Sequence, residues 1–142
     1  MARPTVDHNR KDLVLEDEHT VVRAAQLERG YAPFMVEGRE TGELSEVRGR
    51  EDVRTGVFRV AQGVHPDRTA VPYLFEADEY VWIIEGEVHI KTGEEEEELV
   101  LRAGDSAFFR RGSESTWTFH APFRKFSVEI GVVGWVLATT SR

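Results

Sequence analysis

One acidic residue, Glu79, opens the most apolar strand pattern of this chain, which continues to a turn at Gly86. A carboxylate in that place could bind a metal ion together with histidines, or act as a general acid or base if its surroundings solvate it poorly. The chain has five histidines and no cysteine. A thiolate metal site, a cysteine nucleophile and a disulfide framework are therefore excluded.

The elements that would position Glu79 are short strands. Segments rich in Val, Ile, Phe and Trp alternate with Gly-containing turns, and an ambiguous helical period is confined to residues 22–27. Residues 64–72 contain two prolines and an Asp-Arg pair, which favours a loop. Many short, evenly spaced strands are typical of a sandwich or barrel, so we predict an all-β fold. The predicted strands are residues 20–25, 31–36, 43–47, 56–61, 80–85, 87–92, 98–102, 106–110, 115–120, 125–130 and 132–137.

The length of 142 residues predicts one domain behind a short lead-in. Residues 1–17 are polar and without periodicity, so we predict an N-terminal arm, with the barrel formed by residues 18–142. The acidic run at residues 94–98 follows a glycine. Because adjacent carboxylates repel each other, we predict a solvated hairpin tip there rather than a metal site.

Charge and composition limit the partners of this chain. A net charge of -8 repels polyanions, so we expect neither nucleic acid nor an anionic membrane as a partner. No apolar run approaches the roughly 18 residues of a membrane span, and the N-terminus lacks the apolar core of a secretory signal. We therefore expect a cytoplasmic protein.

Several short motifs follow one another in a fixed order between residues 55 and 130. They are Gly56-Val57-Phe58, Asp78-Glu79-Tyr80, Ile84-Glu85-Gly86-Glu87-Val88, Gly104-Asp105, Trp117 and Arg124-Lys125. In order and spacing this segment resembles the cupin superfamily, in particular the branch typified by ureidoglycine aminohydrolase and the ethanolamine-utilisation cupins. The resemblance implies an RmlC-like jelly-roll barrel of two packed sheets, and a homodimer.

Cupins usually bind a metal ion through three histidines and one glutamate, and the resemblance places Glu79 at the glutamate position. Other residues stand at the remaining positions: Tyr73 and Phe75 (or Pro72 and Leu74, in the longer spacing) and Ser115 replace histidines, and Arg110 replaces a proline before Gly112. One carboxylate, a phenol and a hydroxyl do not supply the donors of a transition-metal site. We therefore expect no metal and no other cofactor in the barrel.

The histidines of the chain do not restore this site. His8 and His19 lie in or near the arm, His65 precedes a proline in the predicted loop, His89 alternates with the core positions Val88 and Ile90, and His120 has the opposite parity to Ser115, Trp117 and Phe119. We therefore interpret all five as loop or surface residues, His65 being the least clear.

The resemblance implies a pocket at the barrel mouth with aromatic walls and a few polar groups, which suits a small molecule. Glu79 is the candidate catalytic residue; the candidate substrate-binding residues are Tyr73, Phe75, Arg110, Ser115, Trp117 and Lys125, with Arg59 as a further candidate. The alternative for Glu79 is a buried structural ion pair with Arg110 or Lys125. A cation such as Lys125, next to Arg124, could bind a substrate carboxylate.

This pocket predicts a protein that binds a small polar or anionic metabolite without a metal, whether or not it is an enzyme. Two enzymatic alternatives stay open: a metal-dependent aminohydrolase with non-standard donors, and a metal-free acid–base isomerase comparable to the sugar-nucleotide epimerase cupins. A ligand-sensing regulator is a further class, although no helix-turn-helix segment accompanies the barrel. Fold alone does not decide among them.

We expect structural roles for three further residues, Trp82, Trp135 and Asp105. Trp82 and Trp135 lie in apolar segments, where packing in the core or in a dimer interface is expected. Asp105 follows Gly104 at a turn, where its side chain is expected to cap the backbone.

Overall fold

The computed structural model describes the backbone of residues 13–14, together with residues 19–93 and 97–131. One short helix and ten strands occur in these ranges. They are β1 (Leu13–Val14), β2 (Thr20–Val21), α1 (Ala24–Arg29), β3 (Ala32–Val36), β4 (Arg39–Val47), β5 (Val53–Val60), β6 (Ala70–Leu74), β7 (Asp78–Thr92), β8 (Leu99–Arg102), β9 (Ser106–Phe109) and β10 (Glu114–Ile130). The predicted all-β fold is confirmed.

Two long antiparallel strands, β7 and β10, organise the main sheet. The strand order is β3-β4-β5-β10-β7-β8, with β6 paired to β10 and β9 paired to β7. The first part of β10 has β6 as its second neighbour, and the last part has β5 there instead. Each long strand therefore contributes to both walls of the barrel, which curves around a single core.

Both long strands bend instead of ending, at Gly86 in β7 and near Pro122 in β10. The pairing between the strands shifts between His120 and Lys125. Gly86 has a φ of 82°, and a Cβ atom there would lie 2.3 Å from the carbonyl oxygen of Pro122. Glycine is required at this point because the two backbones are in close contact.

Core residues alternate with outward-facing residues along the strands, as a pleated sheet requires. Val81 and Ile83 before the bend of β7, and Val88 and Ile90 after it, are buried in the core. In β10 the predicted inward position of Ser115, Trp117 and Phe119 is confirmed, because all three are buried. The aromatic residues of this core are Phe58, Phe75, Phe109, Trp117, Phe119 and Phe123.

Several predicted boundaries were wrong. Residues 80–85 and 87–92 are parts of one strand, as are 115–120 and 125–130, because the turn residues between them bend the chain without reversing it. In the predicted strand 20–25 only Thr20–Val21 is extended, and the ambiguous segment continues into α1.

The predicted loop 64–72 ends in a strand, because β6 begins at Ala70 and contains Pro72. Within the described chain β6 pairs only with β10, and proline is tolerated on such an edge strand. The predicted strand 132–137 and Trp135 lie outside the described residues, as does most of the predicted arm.

The Asp105 carboxylate accepts a hydrogen bond from the backbone N–H of Arg102 at 2.8 Å, which confirms its capping role. Of the acidic run, Glu97 and Glu98 are described, and both are exposed. No helix in the described part of the chain has the length and apolar character needed to cross a lipid bilayer.

Candidate functional site

A cavity of about 550 Å³, measured with its open mouth, lies between the walls of the barrel. Five strands contribute its lining: Phe34, Val36, Thr41, Leu44, Arg54, Thr55, Gly56, Phe58, Val71, Tyr73, Trp117, Phe119, Lys125, Ser127 and Glu129. The wall is largely apolar, with its charged groups contributed by β5 and β10.

Four charged side chains and one phenol form a connected group beside the cavity. Lys125 Nζ lies 2.8 Å from Glu79 Oε2, and Arg54 Nε lies 2.5 Å from Glu129 Oε2. The Tyr73 hydroxyl lies 3.3 Å from Glu79 Oε1 and 3.2 Å from Glu129 Oε1. Two cations thus balance two buried carboxylates, as buried charges require.

Strand pairing explains why these groups meet. Glu129 of β10 is the direct cross-strand partner of Glu79 on β7 and of Arg54 on β5. Lys125, Ser127 and Glu129 have the same parity, so all three point inward. The site therefore follows from the pairing of three central strands.

Glu79 is the most deeply buried member, with 1% of its surface exposed. Burial alone would raise the pKa of its carboxyl group, but the charge and hydrogen bond of Lys125 outweigh it, and hydrogen bonds from Glu129 and Tyr73 add to this, so the pKa is lowered. Glu79 does not line the cavity itself. Lys125 and Tyr73, which both contact the Glu79 carboxylate, do line the cavity. Of the two partners proposed for a structural ion pair, the structure has Lys125.

The pKa of the other buried carboxyl group, that of Glu129, is shifted in the opposite direction. Burial raises the pKa of Glu129, and its hydrogen bond and charge interaction with Arg54 do not fully offset this; the negative charge of Glu79 adds to the increase. Burial and the two neighbouring carboxylates also raise the pKa of the Tyr73 phenol well above 10.0. Glu79 thus favours the ionised form and Glu129 is easier to protonate, which is the pattern of an acid–base pair.

Aromatic rings hold the ammonium group of Lys125 in place. Lys125 Nζ lies 4.9 Å from the ring centroid of Trp117 and 5.6 Å from that of Phe58. Tyr73 contacts Trp117 edge-on, at 6.3 Å between ring centroids. Cation–π contacts of this kind favour the charged amine beside an apolar wall.

Two predicted binding residues support the wall without lining the cavity. The Ser115 hydroxyl donates to the backbone carbonyl of Tyr73 at 2.8 Å and accepts from Trp117 Nε1 at 2.9 Å. Phe75 stacks on Phe109 with 4.8 Å between ring centroids, and is fully buried. Ser115 and Phe75 therefore orient Tyr73 and Trp117.

The predicted arginines do not join this group. Arg110 is exposed just after the end of β9 and is not among the residues that line the cavity. Arg59 is paired with Glu28 and Glu43 on the outer side of the sheet. The binding roles predicted for Tyr73, Trp117 and Lys125 agree with their position, whereas Arg110 and Arg59 lie elsewhere.

Sequence reasoning missed Arg54 and Glu129. A signal for Glu129 was present, because it has the same parity as Trp117 and Lys125 along β10. Arg54 precedes the Gly56-Val57-Phe58 motif by two residues, but only the pairing of β5 with β10 brings it to Glu129. The order of neighbouring strands is thus the missing information.

The residues at the family's metal positions do not fit a transition metal. The Glu79 carboxylate is already bound to a lysine ammonium group, and a cation at that position would repel a metal ion. The Ser115 hydroxyl has both a donor and an acceptor partner within the wall.

Similarity to known proteins agrees with this architecture. Residues 50–126 match the EutQ-like cupin domain. The ethanolamine utilization protein Q of Salmonella typhimurium has 19% sequence identity and a TM-score of 0.64, covering 94% of this chain and 99% of that chain. The Clostridium difficile EutQ protein has 16% identity and a TM-score of 0.50, covering 63% and 62%.

A structure of FeII HppE in complex with substrate has 15% identity and a TM-score of 0.65 over 81% of this chain. This chain spans only 62% of that HppE chain. At these identities the solved structures show a common fold.

No curated protein matches this chain. Because the EutQ-like model covers more than half of the residues, the chain belongs to the EutQ-like cupin family.

Proposed function

We propose that this protein binds a small metabolite with an anionic group and an apolar part in the barrel cavity, and that it does so without a metal ion. The observation that carries the proposal is Lys125, which lines the cavity and whose ammonium group lies near aromatic rings and contacts the Glu79 carboxylate. A ligand carboxylate can approach the same ammonium group from the cavity side. The aromatic and aliphatic lining then binds the apolar part of the ligand.

A specific observation favours acid–base catalysis as a second function. The opposed carboxyl groups of Glu79 and Glu129 are both within hydrogen-bonding reach of the Tyr73 hydroxyl, and their pKa values are shifted in opposite directions. A protonated Glu129 can donate a proton to a ligand that borders it, while Tyr73 connects it to an ionised Glu79. This supports the isomerase alternative over the metal-dependent aminohydrolase.

Ligand binding tests the proposal most directly. Small carboxylic acids, with uncharged analogues of the same shape, would be screened by calorimetry against the wild type and Lys125→Met. Lys91→Met is the matched control, because Lys91 is exposed on β7. We expect the bound acid to lose at least tenfold in affinity in Lys125→Met and to bind Lys91→Met as it binds the wild type.

Loss of binding could also reflect damage to the fold, since Lys125→Met leaves Glu79 without its cation. The double variant Glu79→Gln/Lys125→Met removes both charges and avoids this. If the folded double variant binds carboxylates as tightly as the wild type, the proposal is wrong. Uncharged analogues that bind equally well would also contradict it.

A second copy of the chain is the partner that we propose for the outer surface. An outer apolar face is formed by neighbouring strands β10, β7 and β9: Tyr80, Trp82, Ile84, Phe108, Phe126, Val128 and Ile130. Trp82 is 45% exposed there, so of the two packing roles predicted for it the core is excluded and the dimer interface stays a prediction. Aromatic-rich exposed faces of this kind are typical of protein interfaces, which supports the expected homodimer.

A further inference from the structure

A second group of chemically capable side chains lies on the outside of the barrel, away from the cavity. Glu87 and His89 lie on β7 with the same parity, and His120 of β10 is the direct cross-strand partner of Glu87. All three are half-buried, with side-chain exposures of 28%, 24% and 29%, respectively. They are therefore held in place by the sheet and are still accessible to a dissolved ion.

The distances within this group suit a single metal ion. Glu87 Oε2 lies 2.7 Å from His89 Nε2 and 3.4 Å from His120 Nδ1, and the three ligand atoms lie within 4.8 Å of one another. Two atoms bound to one ion at about 2.1 Å are at most about 4.2 Å apart. The two distances from Glu87 satisfy that limit. The rings of His89 and His120 are stacked, with 4.5 Å between their centroids and 9° between their planes, and an imidazole binds a metal ion in its ring plane, so at least one ring has to rotate out of the stack before both bind the same ion.

The surroundings of the group also resemble those of metal ligands. The other ring nitrogen of His89, Nδ1, lies 3.0 Å from a Glu98 carboxylate oxygen. A carboxylate that orients a ligating imidazole is a common outer contact of metal sites.

Arg102 does not block this arrangement. Its Nε atom lies 2.8 Å from Glu87 Oε1, whereas Oε2 of the same carboxylate faces the imidazoles. Each oxygen of Glu87 can therefore serve a different partner. Unlike the buried Lys125 beside Glu79, the Arg102 side chain is 66% exposed, so solvent screens its charge and it is free to move away from a bound ion. Glu98 supplies a further negative charge near the group.

We propose that Glu87, His89 and His120 bind one divalent transition-metal ion of the Zn²⁺, Ni²⁺ or Cu²⁺ class on the outer surface of the barrel. Two imidazoles and one carboxylate are the donors that these ions prefer, whereas Ca²⁺ and Mg²⁺ prefer sets made only of oxygen atoms. Three protein ligands leave a coordination position open for water or an exogenous group. The ion would connect β7 to β10 and stabilise the folded state by mass action.

Untagged protein is required for the test, because a polyhistidine tag binds the same ions. Titration with Zn²⁺ and Ni²⁺ in mildly alkaline, chelator-free buffer should give one ion per chain in calorimetry and an increased Tm. Ca²⁺ and Mg²⁺ should give neither. Copper electron paramagnetic resonance should show two nitrogen ligands.

Variants separate this site from adventitious binding and from the barrel. His89→Gln and His120→Gln should each lower Zn²⁺ affinity at least tenfold, whereas His19→Gln, at an exposed residue outside the group, should bind as the wild type does. The proposal is overturned if the wild type binds no ion, or if binding survives in His89→Gln/His120→Gln. Binding that is lost in Glu79→Gln but kept in that double variant would place the ion in the barrel and would also overturn it.

Discussion

Glu79 could be a catalytic group or a structural ion, and its surroundings give it properties of both. It is buried against Lys125 and does not line the cavity, yet it shares the Tyr73 hydroxyl with Glu129. Its energetic role can be measured independently of any substrate. Removing one partner of a buried pair leaves an uncompensated charge in a poorly solvating environment.

Lys125→Met is therefore expected to lower the free energy of unfolding by about 3–5 kcal/mol. The double variant Glu79→Gln/Lys125→Met should regain a large part of that loss, because neither charge is then buried alone. Urea denaturation of both variants and of Lys91→Met, expected to change by less than about 0.5 kcal/mol, measures this. Equal stability of Lys125→Met and Lys91→Met would show that the pair contributes nothing.

Acid stability should depend on Glu79 with a definite sign. The folded-state pKa of Glu79 lies below the ordinary value of 4.5, so its contribution is present above that pH and is lost as the pH falls through the folded-state pKa. Glu79→Gln should then lose less stability than the wild type on acidification below about pH 4.5. Denaturation curves over a pH series measure the difference.

The raised pKa of Glu129 has the opposite effect on stability at acid pH. Its protonated form is favoured in the folded protein, so this group adds stability as the pH falls from its folded-state pKa towards 4.5. Glu129→Gln should therefore lose more stability on acidification than the wild type. Identical pH profiles for the Glu79 and Glu129 variants would contradict the assignment of opposite shifts.

At the scale of single residues the sequence predicted part of the site. Tyr73, Trp117 and Lys125 line the cavity as expected, and Glu79 has one of the two ion-pair partners considered. Arg54 and Glu129 were missed because a charged residue in a strand is usually solvated, and only the neighbouring strand shows that it is paired. Arg110 was placed at the pocket from family spacing alone.

At the scale of elements, the bends in β7 and β10 are the least predictable feature. The predicted strands end on either side of Gly86 and of residues 121–124, which include Pro122, and glycine and proline commonly terminate strands. A glycine with positive φ can also bend a strand that continues, and local sequence does not separate the two outcomes. Two observed strands, β7 and β10, were therefore each predicted as two separate strands, whereas β1 and β6 were not predicted as strands.

Gly86→Ala tests the bend. Alanine at a φ of 82° is strained, and its Cβ would in addition lie 2.3 Å from the Pro122 carbonyl oxygen. Gly104→Ala is the matched control, because Gly104 has a φ of 95° and no heavy atom within 4 Å of the added Cβ. We expect about 1–2 kcal/mol of destabilisation at Gly104 and a clearly greater loss at Gly86, measured by chemical denaturation. A loss no greater than that of Gly104→Ala would mean that the β10 backbone moves away freely.

At the scale of the whole molecule, the outer apolar face predicts association. Trp82→Arg places a charge among exposed aromatic residues, and we expect it to convert a dimer into a monomer in sedimentation or light-scattering measurements at micromolar concentration. Leu99→Arg is the control, because Leu99 is similarly exposed but lies on β8, outside this face. A wild type that is monomeric at those concentrations would refute the dimer.

The bend at Gly86 also determines which residues in the rest of β7 face the interior, that is, the phase of the inward–outward alternation. Before the glycine the odd-numbered residues, such as Val81 and Ile83, face the interior; after it the even-numbered Val88 and Ile90 do. Without that change of phase, Glu87 and His89 would point into the barrel, where cupins usually hold their metal. One glycine therefore decides on which side of the wall these metal-binding groups lie, and a one-residue insertion or deletion beside it could exchange an interior site for an exterior one.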